Sequence, residues 1–90
     1  MRVLGIDPGT ATTGYGVVEE VNGSLRSLTF GVIRTSADCS LPARLQLIHQ
    51  AVMKLAEEWK PTAAAVEELF FSANVRTAMS VGQARGVALL

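Results

Sequence analysis

The sequence predicts an α/β domain in which a mixed sheet packs against helices, and three patterns carry that expectation. Residues Val3 to Ile6 lack the apolar-polar alternation of a half-exposed strand, which suits a central strand covered on both faces. Asn22-Gly23 offers the two positive backbone dihedrals of a tight hairpin turn between strand-like runs. A long amphipathic stripe then stops at Pro61, and the apolar run from Ala63 to Val66 follows. That order implies a right-handed helical crossover between parallel strands.

The first strand runs to Ile6, with Asp7 at its end and Pro8-Gly9 breaking the pattern. Gly14 to Val21 reads as the second strand. After the Asn22-Gly23 turn, a third runs back antiparallel from about Leu25 to Arg34. Leu28, Phe30 and Val32 recur there at a spacing of two, so this face is expected to meet the core. Thr35 to Ser40 is a loop, and Ser40 is placed to cap the next helix. Leu41, Leu45, Ile48, Val52, Leu55 and Trp59 follow at alternating steps of four and three, one stripe of an amphipathic helix. Pro61 ends it, because proline lacks a backbone donor and biases Lys60 away from helical geometry. Ala63 to Glu67 reads as a fourth strand despite the weak strand propensity of alanine. Asn74 is the expected cap of a last helix, whose apolar face collects Val75, Ala78, Met79, Gly82, Gly86, Leu89 and Leu90. Gly82 and Gly86 would allow a partner to approach closely.

With 90 residues, 49% hydrophobic and 18% charged, the chain suits a globular core and one domain over residues 1–90. Eight basic and eight acidic residues cancel, so nucleic-acid binding has to come from a local patch rather than a global field. The lone cysteine, Cys39, has no internal disulfide partner and reads as an inert loop thiol. No apolar stretch approaches the roughly 18 residues of a membrane span, and no leader pattern precedes Asp7. A cytoplasmic protein without a membrane partner is the expectation.

Asp7 and Glu67 are the residues that point to chemistry. If their strands are neighbours, both carboxylates project at one edge of the sheet. Two carboxylates about 4 Å apart repel by roughly 4 kcal/mol at an effective dielectric near 20, so a proton or a cation should neutralise them. Hard oxygen ligands favour magnesium or manganese, ions suited to phosphodiester hydrolysis. Asp7 also suits a plain turn before Pro8-Gly9. Strand alternation sends Glu67 and Glu68 to opposite faces, and Glu67 is preferred because it continues the apolar run. His49 has no second ligand at metal spacing and reads as a surface residue. One of Phe70 and Phe71 is a candidate for stacking on an unpaired base, with core packing as the alternative. Arg76 is a candidate phosphate contact, or else part of a solvated helix face.

The motifs Leu4-Gly5-Ile6-Asp7-Pro8-Gly9-Thr10, Thr13-Gly14-Tyr15-Gly16-Val17, Val66-Glu67-Glu68-Leu69-Phe70-Phe71 and Gly82-Gln83-Ala84-Arg85-Gly86-Val87-Ala88 together closely resemble the RuvC family of crossover junction endodeoxyribonucleases. The resemblance runs from the first strand to the last residue. It implies a ribonuclease H-like fold with a mixed sheet, a homodimer, and magnesium-dependent symmetric cutting of four-way (Holliday) DNA junctions in recombination and repair. Manganese is a substitute ion. The resemblance further implies that Asp7 and Glu67 bind metal and are catalytic, positioning two cations around the scissile phosphate. Phe70 would stack on a junction base, the helix with Gly82 and Gly86 would lie near the dimer partner, and the branch-migration proteins RuvA and RuvB would be partners.

Members of that family continue with another strand and a final helix that supplies two further acidic ligands. The chain is therefore expected to be the N-terminal part of a junction resolvase, with half its catalytic acids. Two other readings follow from the same residues. One is a catalytically inactive DNA-binding or dimerisation module. The other is a nucleotide-binding protein of the actin and sugar-kinase type, since Gly5-Ile6-Asp7-Pro8-Gly9-Thr10 resembles the first phosphate loop of those proteins.

Overall fold

The computed structural model describes residues 1–67 and 75–90, by backbone alone at positions 75–78 and 80. Its elements follow the expected order: β1 (Arg2–Asp7), β2 (Thr12–Val21), β3 (Ser24–Arg34), α1 (Leu41–Trp59), β4 (Ala63–Val66) and α2 (Val75–Leu89). The sheet order is β3-β2-β1-β4. β1 pairs antiparallel with β2 and parallel with β4, so the apolar first strand is indeed central. Asn22 and Gly23 both adopt positive φ, as the hairpin turn between β2 and β3 requires.

α1 begins where its cap predicts. The Ser40 side chain accepts a hydrogen bond from the Ala43 backbone N–H, and the helix ends on Lys60 in the left-handed conformation, ahead of Pro61. The Lys60 N–H donates to the Ala56 carbonyl and closes the last turn. Ile48 and Val52 from its stripe are buried with Leu4, Ile6, Val17 and Ala84, while Leu45 and Trp59 pack at the margin. The crossover is anchored to the sheet at once. Thr62 donates through both its N–H and its hydroxyl to the Arg2 carbonyl, and Arg2 Nη1 donates to the Trp59 carbonyl at 2.8 Å.

Two expectations about sidedness need correction. The helices pack on the sheet face of Leu4, Ile6, Val17 and Ile33, and among the described residues nothing packs on the other face of β1. Phe30 and Val32 lie on that other face, 81% and 48% exposed. The reason is a register shift opposite Val17 and Val18: Thr29 pairs with Val17 and Ser27 with Val18, leaving Leu28 as the extra residue of a bulge. A bulge breaks the two-residue period on which the expectation rested. In α2 the residues turned inward are Ala84, Val87 and Ala88, while Met79, Gly86 and Leu89 of the expected apolar face, and Leu90 just beyond the helix, are exposed. The helix is apolar on more than one side, and the small Ala84 is what fits in the core. The expected cap Asn74 lies outside the described residues.

The turn from β1 into β2 admits only glycine at position 9. A Cβ there would collide with the Thr12 carbonyl oxygen, and the Thr13 hydroxyl donates to the Gly9 carbonyl at 2.6 Å while accepting from its N–H at 3.2 Å. Gly9→Ala should therefore cost about 1–3 kcal/mol through overpacking, read as a lower urea midpoint at unchanged slope. Ile48→Ala should cost about 2–5 kcal/mol, whereas Leu47→Ala, at a position 46% exposed, should cost far less. Equal losses at positions 47 and 48 in the same urea titration would contradict this helix orientation.

Candidate active site

The parallel ladder sets the geometry of the two acids. Gly5 pairs with Ala65 and Ile6 with Val66, and the Glu67 N–H still donates to the Ile6 carbonyl at 2.9 Å, one residue beyond β4. Residues directly opposite share a face and alternate along each strand. Asp7 and Glu67 thus project side by side from the face that the helices leave bare. Both are exposed. They line one cleft of about 540 Å³ with Gly5, Gly14, Gly16, Phe30 and Ala65. Gly5 pairs with Gly16 and Asp7 with Gly14, so the β1–β2 part of the floor carries no side chains beside Asp7. Glycine within a strand commonly marks where a ligand or another backbone comes close.

Among the described residues neither carboxylate is engaged by a basic side chain; the one ion pair joins Arg2 to Glu19. Arg85 reaches the site differently. Its Nε donates to the Glu67 main-chain carbonyl at 3.3 Å, so this contact holds the backbone of the second acid rather than its carboxylate. Two adjacent, exposed oxygen donors fit a hard divalent cation such as magnesium or manganese. They supply only part of its coordination shell, and the described residues contain no cluster of three or more metal-ligating side chains.

Of the residues expected at the site, Asp7 and Glu67 come together as the spacing suggested. Phe70 lies outside the described residues, and Arg76 falls within α2 at a position described by backbone alone. His49 and Cys39 are away from the cleft. Two contributors escaped the sequence reading. Phe30, expected in the core, is a wall of the cleft, and only the bulge at Leu28 explains why. Arg85 carries no role in the sequence reading beyond its place in the Gly82 to Ala88 motif, and nothing in the linear spacing points to its bond with Glu67.

The family described as "Crossover junction endodeoxyribonuclease RuvC" matches residues 3–90. A RuvC from Roseiflexus sp. (strain RS-1) is 56% identical over 89 residues, covering 99% of this chain and 53% of the relative. Among solved structures, T. thermophilus RuvC in complex with a Holliday junction substrate superposes with a TM-score of 0.89 at 37% identity, covering 99% of this chain and 57% of that one. A second Thermus thermophilus RuvC structure gives 0.85 at 40% identity, covering 99% and 55%. The chain spans about half the length of the curated relatives it matches. Its four-stranded mixed sheet with two helices is the ribonuclease H-like fold over the part of RuvC that it covers. Matched in sequence along its whole length and in the path of its backbone, the chain belongs to the RuvC family of crossover junction endodeoxyribonucleases.

Proposed function

We propose that the chain provides two of the metal-binding catalytic acids, Asp7 and Glu67, of a structure-selective endonuclease that cuts four-way DNA junctions in recombination and repair. The observation that carries this reading is the juxtaposition of the two carboxylates on one open, glycine-floored sheet face. Membership of the RuvC family supports it, and so does the likeness to a relative whose structure was solved on a Holliday junction substrate. Magnesium is the proposed working ion, with manganese as a substitute. When bound, the ion would neutralise the phosphate and activate water for in-line attack. Asp7 and Glu67 hold their oxygens at a common edge. The bare floor of Gly5, Gly14 and Gly16 gives a phosphodiester backbone room to come down on them.

By family resemblance Phe70 would stack on a junction base; Arg76, singled out from the sequence pattern alone, is the proposed phosphate contact, which fixes register rather than sequence preference. A homodimer is part of the same proposal. The exposed Met79, Leu89 and Leu90 on α2 give a second copy an apolar surface to cover. RuvA and RuvB are the proposed partners in delivering the junction. A cytoplasmic setting is part of the proposal; among the described residues no helix is long and apolar enough to cross a membrane.

The test is binding and cleavage of a labelled synthetic four-way junction, with linear duplex as control. Tighter binding to the junction is expected, and any symmetric nicking in magnesium is expected to disappear with a chelator or on Asp7→Asn. Equal affinity for junction and duplex would overturn the reading. Junction binding without nicks, unchanged by Asp7→Asn, would favour the catalytically inactive binding module instead.

A further inference from the structure

The four residues between β1 and β2 belong to no ladder, yet they carry the chain out of Asp7. Their two ends are held by different devices. Thr13 clamps Gly9, as described above. Beyond it, the Thr35 hydroxyl donates to the Thr10 carbonyl at 2.6 Å, and the Thr35 N–H donates to the Ala11 carbonyl at 3.1 Å. Thr35 is held in turn from α1. Arg44 Nε donates to the Thr35 hydroxyl oxygen at 2.8 Å, and Nη2 to its carbonyl at 3.5 Å.

We infer that Thr35 and Arg44 are positioning residues, a relay from α1 through the end of β3 that fixes the turn leaving Asp7 and thereby the placement of its carboxylate. The inference rests on reading Asp7 as a metal ligand. Its physical content is directional. A hydroxyl has one proton and can rotate, whereas a guanidinium only donates and stays charged. With Arg44 occupying the oxygen as donor, the Thr35 proton points to the Thr10 carbonyl, and that bond keeps one orientation. Asp7 is exposed and has no ion-pair partner among the described residues, so the backbone, by placing its Cβ, sets the range its oxygens can reach. Partners that orient a metal ligand typically change metal affinity roughly tenfold or more when removed.

The test uses Mn2+ as probe, followed by paramagnetic broadening of backbone amide NMR signals. In the unmodified chain, substoichiometric Mn2+ is expected to broaden the amides of Asp7, Gly14 and Glu67 well ahead of those of Asn22 and Gly23 at the far hairpin turn. Asp7→Asn should abolish this. Thr35→Val should weaken apparent Mn2+ affinity roughly tenfold with the core spectrum intact, and Thr35→Ser, which keeps the hydroxyl, should restore it. Arg44→Met should weaken binding as well, and it decides the matter should Thr35→Val fail to fold. Wild-type Mn2+ binding in folded Thr35→Val or Arg44→Met overturns the relay alone. Broadening that is absent from the unmodified chain, or that survives Asp7→Asn, overturns the metal-ligand reading of Asp7 and the relay with it.

Discussion

The parallel ladder between β1 and β4 sets Ile6 beside Val66, and a slip of one residue would turn Glu67 to the helix-covered face while Asp7 stayed on the open one. That register is held at both ends of β4, by the Glu67 N–H bond to the Ile6 carbonyl beside the acids and by bonds at its start. Thr62 bonds twice to the Arg2 carbonyl, and the Arg2 guanidinium closes on the last carbonyl of α1. The ion pair of Arg2 with Glu19, at 3.4 Å and partly exposed, adds little to this. The alignment of the two carboxylates is therefore a property of the crossover as a whole, in which helix length, the Lys60 cap and the Thr62 bonds each take part.

The sheet divides its labour by face. Leu4, Ile6 and Val17 on one side bury against Ile48 and Val52 of α1 and Ala84 of α2, and this is where the cohesion of the fold lies. The other side has glycines at its centre, acids at one end and Phe30 as a wall. Packing needs bulk, and an approaching phosphodiester needs its absence. Alternation along β1 and β2 lets one pair of strands meet both demands, because neighbouring residues serve opposite faces.

Much of this was legible in the sequence because the signals were local. The Asn22-Gly23 turn, the Ser40 cap, the stripe from Leu41 to Trp59 and the Pro61 stop each act within a few residues, and each falls where the chain uses it. Asp7 and Glu67 were legible too, as acids closing apolar runs. Phe30 and Val32 were misread because a bulge at Leu28 changes which residues face the helices. Likewise α2 offers two apolar sides, and which one turns inward is decided by the room that α1 and β4 leave, a tertiary matter. The bonds from Arg44 to Thr35 and from Arg85 to Glu67 join elements far apart in the chain, and no periodicity encodes them.

The pairing of β4 with β1 has a consequence for how the protein folds. The β2–β3 hairpin and the neighbouring β1–β2 pair close short loops, and α1 forms from local bonds, whereas Val3 meets Ala63 across most of the chain. Closing so long a loop is entropically costly, and an alanine-rich strand brings little intrinsic preference of its own to offset that cost. Contacts of such high sequence separation are expected to form late. Asp7 and Glu67 would then stay apart until the remainder of the sheet and α1 are assembled, so partly folded chains, whether newly made or transiently unfolded, lack the paired carboxylates altogether.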